Sequence, residues 1–250
     1  MYKINLNCDL GEGAAFDEKI IPLINSANIA CGFHAGNRDM MQATVKLCID
    51  NKVGIGAHPG YPDKENFGRT NRDVTSKQVY DYTLAQLEAL GDIVAGKDKI
   101  VHIKPHGAMY NQAAKNKDLA NAIVDAIIDY NKDLILLALS GSQMIDSARE
   151  KGVKYASEVF ADRAYEADGS LRARSLENSM ITDEDLAVER VIKMVKTGKV
   201  TAYTGEEIDI EAHSVCVHGD SEKAFVFVQK LNEAFIKNGI ETVGLIEAIK

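Results

Sequence analysis

The chain has 250 residues, which is enough for one large domain, and α/β barrels commonly use that length. Its formal net charge of −8, the lack of a Lys/Arg-rich run and the absence of Trp argue against duplex nucleic acid and against a base-stacking surface. The first residues enter a strand directly, so we expect no signal peptide, and no apolar stretch is long enough to span a bilayer. The cysteines form no Cys-x-x-Cys pair and are expected to be free thiols, so we expect a soluble cytoplasmic protein.

Seven strands are predicted along the chain, with helical patterns between most of them. In chain order, the strands lie around residues 3–8, 27–31, 54–58, 100–106, 134–139, 154–160 and 214–218. The helical patterns lie in 37–52 and 75–90 and around 119–130, 187–194 and 224–235. Thr75 and Gln78 predict a capping box, Thr182 predicts a helix N-cap, and Gly239 predicts a helix end.

Repeated strand–helix units imply parallel strands joined by right-handed crossovers. Since no linker or low-complexity tract divides the chain, residues 1–250 are predicted to form one domain. We favour a (β/α) barrel of about seven or eight strands, and an open doubly wound sheet is the alternative.

The alternation of polar and apolar residues along the strands predicts which face points into the barrel. The stretch 100–106 places His102, Lys104 and His106 on one face and apolar residues on the other. Because helices must cover the outside of a barrel, the polar face points inward. The charged side chains at the strand ends then gather at the C-terminal mouth, where barrel enzymes have their active sites. Asp9 and Glu12 follow the first strand and are expected at the same mouth.

The ionisable residues on this inward face are the first candidates for chemistry. Five of the six histidines lie in or just after predicted strands: His34, His58, His102, His106 and His218. We interpret His102 as a core residue, because it lies deeper than its neighbours, and His213 as structural. Lys104 requires either a buried ion pair with Glu158 or Asp9, or a role as the donor that stabilises charge on a carbonyl oxygen.

Two long loops add cations to the predicted mouth. Arg69 closes the loop after the third strand, and Arg163, next to Asp162, is placed to bind a carboxylate bidentately. A divalent metal is an open alternative, with suitable ligands at Asp9, His34, His58, His106, His218 and Asp220. The same residues can also act as proton-transfer pairs without a metal. No phosphate-binding loop, dinucleotide fingerprint, His-Glu-x-x-His or Gly-x-Ser-x-Gly motif occurs.

Six segments together resemble the family of 5-oxoprolinase A subunits, also called the LamB/YcsF lactam-utilisation proteins. They read NLNCDLGEG, SANIACGFHAGN, GAHPGYPD, KPHGAMYN, EVFADRAYEADGSLRAR and VCVHGD, in order along the chain. The resemblance implies a seven-stranded (β/α) barrel, TIM-like and related to glycoside hydrolase and polysaccharide deacetylase barrels. It also implies ATP-dependent opening of 5-oxo-L-proline to L-glutamate, carried out with separate subunits B and C.

The resemblance and the chemistry of the residues together give two sets of candidate site residues. The candidate catalytic residues are Asp9, Glu12, His34, His58, Lys104, His106, Glu158, Asp162, His218 and Asp220. The candidate substrate-binding residues are Asn7, Arg69, Tyr110 and Arg163. On chemical grounds, Asp9 or His58 is the candidate general base, and His106 or His218 the proton donor to the leaving group.

Two rival functions remain open at this point. A stand-alone, metal-dependent deacetylase or amidohydrolase predicts turnover by the isolated chain without ATP, suppressed by a chelator. A non-catalytic subunit that only binds and delivers substrate predicts that the inward histidines are dispensable. For the 5-oxoprolinase interpretation, ATP is a co-substrate of the whole complex, and the missing phosphate-binding loop suggests that the partner subunits bind it.

Overall fold

The computed structural model describes residues 2–218 and 222–250, which form a parallel barrel surrounded by helices. In chain order, the strands are β1 (Tyr2–Leu10), β2 (Ser26–Ala30), β3 (Gly54–His58), β4 (Ile100–Ile103), β5 (Ile135–Leu139), β6 (Lys154–Phe160), β7 (Lys199–Thr201), β8 (Glu207–Asp209), β9 (Ser214–His218) and β10 (Ile240–Thr242). The α-helices are α1 (Asp17–Ile20), α2 (Arg38–Asn51), α3 (Ser76–Val94), α4 (Gly107–Lys115), α5 (Lys117–Asn131), α6 (Gln143–Lys151), α7 (Glu184–Thr197), α8 (Glu222–Lys237) and α9 (Leu245–Ala248). Short 3-10 helices lie at Ile21–Leu23 and Lys64–Asn66.

Seven parallel strands close the barrel in the order β1-β2-β3-β4-β5-β6-β9, and β9 pairs with β1 to complete the ring. This closing seam runs from Asn5 opposite Ser214 to Asp9 opposite His218. β10 pairs with the first residues of β1, next to the seam, and β7 and β8 form a separate antiparallel hairpin. The predicted (β/α) barrel of seven strands is therefore confirmed, and the open-sheet alternative is wrong.

A ladder of small polar side chains fills the lower interior between β1, β2 and β9. The Asn5 amide donates to Ser26 Oγ at 3.0 Å and accepts from Ser214 Oγ at 2.7 Å. The Asn7 amide donates to Ser214 Oγ at 2.8 Å and accepts from the Asn28 amide at 2.7 Å. The alternate residues of β1 belong to the hydrophobic core outside the barrel. The predicted inward direction of the polar face is thus confirmed for β1.

Apolar side chains fill the opposite side of the barrel floor. Leu245, the first residue of α9, packs against Ile135, Leu137 and Ala156. Every residue of β5 is buried and apolar, which is typical of a parallel strand covered on both faces. The N-terminal end of the barrel is therefore packed rather than open.

A glycine determines how β3 and β4 meet. The register between these strands shifts between Ile55 and Gly56. A Cβ atom at Gly56 would lie 2.1 Å from His102 Nε2, so only glycine leaves room for this imidazole. His102 is fully buried and its Nε2 lies 2.7 Å from Asn28 Oδ1, which confirms the interpretation of His102 as a core residue.

The helix starts follow capping rules, with one correction. Thr75 and Gln78 form the predicted capping box at the start of α3. The predicted N-cap at Thr182 is wrong, because the cap of α7 is Asp183, which accepts from the backbone N–H groups of Asp185 and Leu186. A carboxylate is favoured there since it accepts two orphan N–H groups and carries charge opposite to the helix dipole.

β4 is shorter than predicted, and this shapes the site. The strand ends at Ile103 rather than at His106, and Pro105 has no N–H for the ladder. The backbone N–H groups of Lys104 and His106 still donate to Ala57 and Pro59 on the neighbouring chain segment. α4 then begins at Gly107, directly after His106. In the described ranges, the helices lack the combination of length and apolar character that a membrane span requires.

Candidate active site

A cavity of about 800 Å³ opens at the C-terminal ends of the barrel strands. Its wall includes Asp9, Glu12, His58, Lys104 and His106. α4 borders the cavity on one side, and residues 170–175 border it on the other. The chain from 163 to 180 is held in place by two isolated bridges, one of which joins residues 163 and 180 and the other residues 165 and 171. The expected mouth is therefore a cavity. The chain from 163 to 180, which we call the covering loop, partly covers it.

Lys104 lies at the base of this cavity between two carboxylates. Its Nζ is 2.8 Å from Asp9 Oδ1 and 3.0 Å from Glu158 Oε1. It also donates to Cys216 Sγ at 3.0 Å, and its side chain is 3% exposed. Burial alone would lower the pKa of Lys104, but the nearby acids Asp9, Cys216 and Glu158 raise it well above its usual value. The lysine is therefore a fixed buried cation.

Tyr110 completes this arrangement from α4. Its hydroxyl donates to Glu158 Oε2 at 2.8 Å, while Oε1, the other oxygen of this carboxylate, forms the ion pair with Lys104. Burial, followed by the charge of Glu158, raises the pKa of Tyr110 well above its usual value, so the phenol keeps its proton. We call Asp9, Lys104, Tyr110 and Glu158 the lysine cluster.

Asp9 connects the lysine cluster with a second group of residues. Its Oδ1 accepts from Lys104 Nζ and from the Asn28 amide, both at 2.8 Å. Its Oδ2 lies 3.4 Å from His58 Nε2. The carboxylate is thus held on one side by two donors while its other oxygen faces the histidines.

Glu12, His34, His58 and His106 form the second group, which we call the histidine cluster. Glu12 Oε1 is 3.2 Å from His34 Nε2, 3.5 Å from His106 Nδ1 and 3.9 Å from His58 Nε2. The His58 Nε2 and His106 Nδ1 atoms are 2.9 Å apart. One donor atom from each of the four residues lies within 4.8 Å of the others, so this group can hold a metal ion.

Hydrogen bonds and stacking hold the histidine rings in place. In His58 and His106, the ring nitrogen that points away from the cluster, which we call the outer nitrogen, lies next to a backbone carbonyl oxygen. His58 Nδ1 lies 2.7 Å from the Lys104 carbonyl oxygen, and His106 Nε2 lies 2.8 Å from that of Phe67. The rings of His34 and His106 stack with centroids 3.8 Å apart. Burial lowers the pKa of His34 to about 3 and that of His106 well below its usual value, so both rings are neutral near neutral pH.

Two arginines border the outer part of the cavity in different ways. Arg69 is exposed, with its guanidinium 5.0 Å from the centre of the Phe67 ring. Arg163 is buried and donates to the carbonyl oxygens of Arg172 and Ser179, which ties the covering loop to β6. Burial lowers the pKa of Arg163 to about 10, which still leaves it charged at neutral pH.

Most of the predicted site residues meet at this cavity. Those on its wall are Asp9, Glu12, His58, Arg69, Lys104, His106, Tyr110 and Arg163. Glu158 and His34 contact the wall residues from behind, and Asn7 lies below them in the polar ladder. Asp162 lies at the base of the covering loop, where its carbonyl accepts from Ile181 N–H.

Two predicted residues cannot be located by their side chains. His218 ends β9, and its backbone pairs with Asp9, but its side chain lies outside the described part of the structure. Asp220 lies outside the described residues altogether. Sequence reasoning missed Asn28, a lone amide within an otherwise small and apolar strand, and Cys216, which shares the inward face of β9 with Ser214.

Comparison with known proteins decides the family. The LamB/YcsF family profile matches residues 4–250. The chain belongs to the LamB/YcsF family. It is 50% identical to a protein from Clostridium beijerinckii that is named as the A subunit of 5-oxoprolinase, over 98% of each chain. A Fusobacterium nucleatum protein with the same name is 47% identical, over 100% of this chain and 99% of the relative.

Solved structures agree with the LamB/YcsF assignment. The crystal structure of the lactam utilization protein from Thermus thermophilus is similar with a TM-score of 0.89 and 36% identity, over 96% of this chain and 98% of that one. A family 4 carbohydrate esterase from Streptomyces lividans matches with a TM-score of 0.52 but only 10% identity, over 96% and 91% of the two chains. The second likeness concerns the fold alone, and it agrees with the expected relation to deacetylase barrels.

Proposed function

We propose that this LamB/YcsF chain is the A subunit of a 5-oxoprolinase, which opens the lactam of 5-oxo-L-proline to give L-glutamate at the expense of ATP. The observation that carries the proposal is 50% identity, over 98% of both chains, to a protein named as the A subunit of that enzyme. The word subunit implies partners, and we propose that these are separate subunits B and C. A cytoplasmic location is part of the same proposal.

The chemistry of the lactam indicates which steps this chain and the partner subunits carry out. An unactivated amide is a poor electrophile, and phosphorylation of its oxygen makes the carbonyl carbon more reactive toward water. This sequence has no phosphate-binding loop, so we assign ATP binding and phosphorylation to the partner subunits. The barrel then receives the phosphorylated lactam. Water adds to the former carbonyl carbon, and the C–N bond breaks as the nitrogen takes up a proton, which opens the ring to γ-glutamyl phosphate. Hydrolysis of this acyl phosphate by a second water then gives glutamate and inorganic phosphate.

The charge around the cavity suits an anionic substrate of this kind. Cations on the wall outnumber acids: they are Arg69, Lys104, Lys115, Arg163 and Arg174, against Asp9 and Glu12. The chain as a whole has a formal net charge of −8, so this local excess of positive charge is distinctive. The cavity volume also lies within the range of roughly 300–1,000 Å³ that is usual for small-molecule sites. We propose that Arg69 or Arg163 binds the substrate carboxylate.

Asp9 is the residue best placed to activate water. Two donors, Lys104 and Asn28, bind its Oδ1 and favour the ionised carboxylate, while Oδ2 lies on the side of the histidines. We therefore assign the general-base role to Asp9 rather than to His58. Proton donation to the departing nitrogen stays a choice between His106 and His218.

Lys104 retains a proposed role in stabilising charge on the substrate oxygen. Its contacts are unequal: two are ion pairs, one is to Cys216 Sγ, a weak acceptor, and one is a long contact of 3.5 Å to Asn7 Oδ1. A substrate oxygen can replace the contact to Cys216 at little cost. The loss of one such donor typically lowers turnover about 10²–10³-fold.

Reconstitution with the partner subunits tests the proposal. The assay measures 5-oxoproline-dependent ATP hydrolysis and glutamate formation with and without this chain, using wild type and Asp9→Asn. We expect glutamate only when all subunits are present, and a loss of about 10²–10⁴-fold in Asp9→Asn. The control is Asp50→Asn, which changes an exposed carboxylate on α2 and should leave turnover unchanged.

Other outcomes of this assay would favour the rival functions. ATP-independent turnover of an acetylated sugar or another amide by the isolated chain, suppressed by a chelator, would replace the proposal with a deacetylase or amidohydrolase. Full glutamate formation in Asp9→Asn would instead favour a subunit that binds substrate without catalysing its reaction. The deacetylase-type fold and the histidine cluster are the features that keep the first rival in the test.

A further inference from the structure

The outer nitrogens of two cavity histidines determine where their protons lie. His58 Nδ1 is 2.7 Å from the Lys104 carbonyl oxygen, and His106 Nε2 is 2.8 Å from the Phe67 carbonyl oxygen. A carbonyl oxygen can only accept a hydrogen bond, so each of these nitrogens carries the ring proton. The remaining nitrogens, His58 Nε2 and His106 Nδ1, then carry lone pairs whenever the rings are neutral.

Those two lone pairs point toward each other across a short distance. His58 Nε2 and His106 Nδ1 are 2.9 Å apart, and neither has a proton to donate in this arrangement. Glu12 Oε1, a further acceptor, lies 3.5 Å from His106 Nδ1. Three acceptor atoms therefore converge in a buried site, and such an arrangement calls for a cation between them.

The spacing of the three atoms fits a transition-metal ion. Nitrogen and oxygen ligands that lie 2.0–2.1 Å from a tetrahedral ion are about 3.3 Å from one another. The observed separations are 2.9, 3.5 and 3.9 Å for His58–His106, His106–Glu12 and His58–Glu12. Metal-binding histidines also characteristically donate their outer N–H to a carbonyl oxygen, as both of these rings do.

His34 has a different place from the other two histidines. Its Nε2 lies 3.2 Å from Glu12 Oε1, and its ring stacks on that of His106. Its Nδ1 is buried without a hydrogen-bond partner and packs against Gly60. An orphaned lone pair is more tolerable there than an orphaned N–H, so Nε2 carries the proton and donates to Glu12. His34 thus orients the carboxylate.

We propose that Glu12, His58 and His106 bind a divalent transition-metal ion, best matched by Zn²⁺, and that His34 positions Glu12 for it. Two imidazoles and a carboxylate are ligands that zinc prefers, and three protein ligands leave a coordination position open. All three ligands lie on the cavity wall, so the open position faces the cavity. When bound, such an ion would polarise a substrate oxygen or activate water.

This inference concerns metal binding and does not depend on the lactam chemistry. It assigns His106 to the metal and leaves proton donation to His218. Asp9 Oδ2, 3.4 Å from His58 Nε2, stays beside the ion rather than among its ligands. The identity of the bound metal and the identity of the substrate can therefore be tested separately.

Metal analysis and titration of the purified chain test the inference. The chain is stripped with a chelator and titrated with Zn²⁺, and with Co²⁺, whose visible absorption reports tetrahedral coordination. We expect one ion per chain in wild type, and a loss of affinity of at least about 100-fold in His58→Ala and in His106→Ala. His34→Ala should lose about 10–100-fold, as expected for a residue that orients a ligand.

His213→Gln is the matched control, since this histidine lies beside Glu211 and Ser157, away from the cluster. It should bind both ions as wild type does. Circular dichroism and thermal unfolding show whether each variant is folded. The inference fails if wild type takes up no ion, or if His58→Ala and His106→Ala, when folded, bind as tightly as His213→Gln.

Discussion

The lysine cluster and the histidine cluster are neighbours that share Asp9 as their connection, yet their electrostatics differ. In the lysine cluster, Lys104 Nζ forms ion pairs with two carboxylates at 2.8 and 3.0 Å, and the Tyr110 hydroxyl donates to one of them at 2.8 Å. In the histidine cluster, two lone pairs face each other at 2.9 Å beside a carboxylate. The first group brings opposite charges together, whereas the second brings hydrogen-bond acceptors together.

This difference predicts unequal effects of the two clusters on stability. A buried ion-pair network is destabilised when one charged member is removed, because the removal leaves an uncompensated charge. A group of opposed acceptors contributes little to folding by itself, because its members already repel one another. Variants in the lysine cluster should therefore reduce stability, and variants in the histidine cluster should reduce activity with a smaller effect on folding.

The largest effect on stability is expected for Lys104→Met, which keeps the apolar stem but leaves Asp9 and Glu158 without their shared cation. Breaking a buried ion pair costs about 3–5 kcal/mol, which urea unfolding measures directly. Lys46→Met is the control, since its pair with Asp50 is exposed and should change stability barely at all. Equal stability of the two variants would contradict the proposed contrast.

His58→Ala should show the opposite balance. We expect turnover of the reconstituted complex to fall about 10²–10⁴-fold, as is usual for a group that acts on the reacting atoms or their metal. The free energy of unfolding of the metal-free chain should change far less than in Lys104→Met. A stability loss as large as that of Lys104→Met would show that the histidine cluster is part of the structural core.

Tyr110→Phe removes one hydroxyl from the lysine cluster and leaves its ion pairs in place. The hydroxyl donates to Glu158 Oε2 at 2.8 Å, and hydrogen bonds to charged groups contribute about 1.5–3 kcal/mol. Tyr80→Phe loses a bond of the same length to Asp129 on the exposed surface and serves as the comparison. We expect only Tyr110→Phe to lower the unfolding midpoint in urea measurably.

The pH dependence of stability gives the smallest effect. Burial, followed by the charge of Lys104, lowers the pKa of His102 to about 3, whereas an unfolded histidine titrates near 6.5. Between these values the unfolded chain binds more protons, so stability is complete above pH 6.5 and falls as the solution becomes more acidic. His102→Gln should reduce this slope by about 1.4 kcal/mol per pH unit near pH 5. Unchanged slopes would mean that His102 is not held neutral.

Much of this fold could be predicted because its signals are local. The strands at 54–58, 154–160 and 214–218 have the predicted bounds, and the capping box at Thr75 fixes the start of α3. The short hairpin of β7 and β8 was missed because each of its strands has only three residues, too few for a periodic pattern.

The site could be predicted only in part, because it depends on contacts between distant segments. Alternation places His58 and His106 on the inward side, but their 2.9 Å approach depends on the register shift at Gly56 and on the end of β4 before Pro105. The proton positions depend on the Phe67 and Lys104 carbonyl oxygens, and backbone groups leave no trace in the side-chain pattern of a sequence.

The packed floor has a consequence for how the reaction is organised. With Leu245 seated on Ile135 and Leu137, molecules exchange with the barrel through the end that carries Arg69 and the covering loop. Under the proposed function, the incoming lactam and the outgoing glutamate would use the same opening. A partner subunit docked over that opening would have to leave it, or leave a gap, before the product is released, so docking and release would alternate in each cycle.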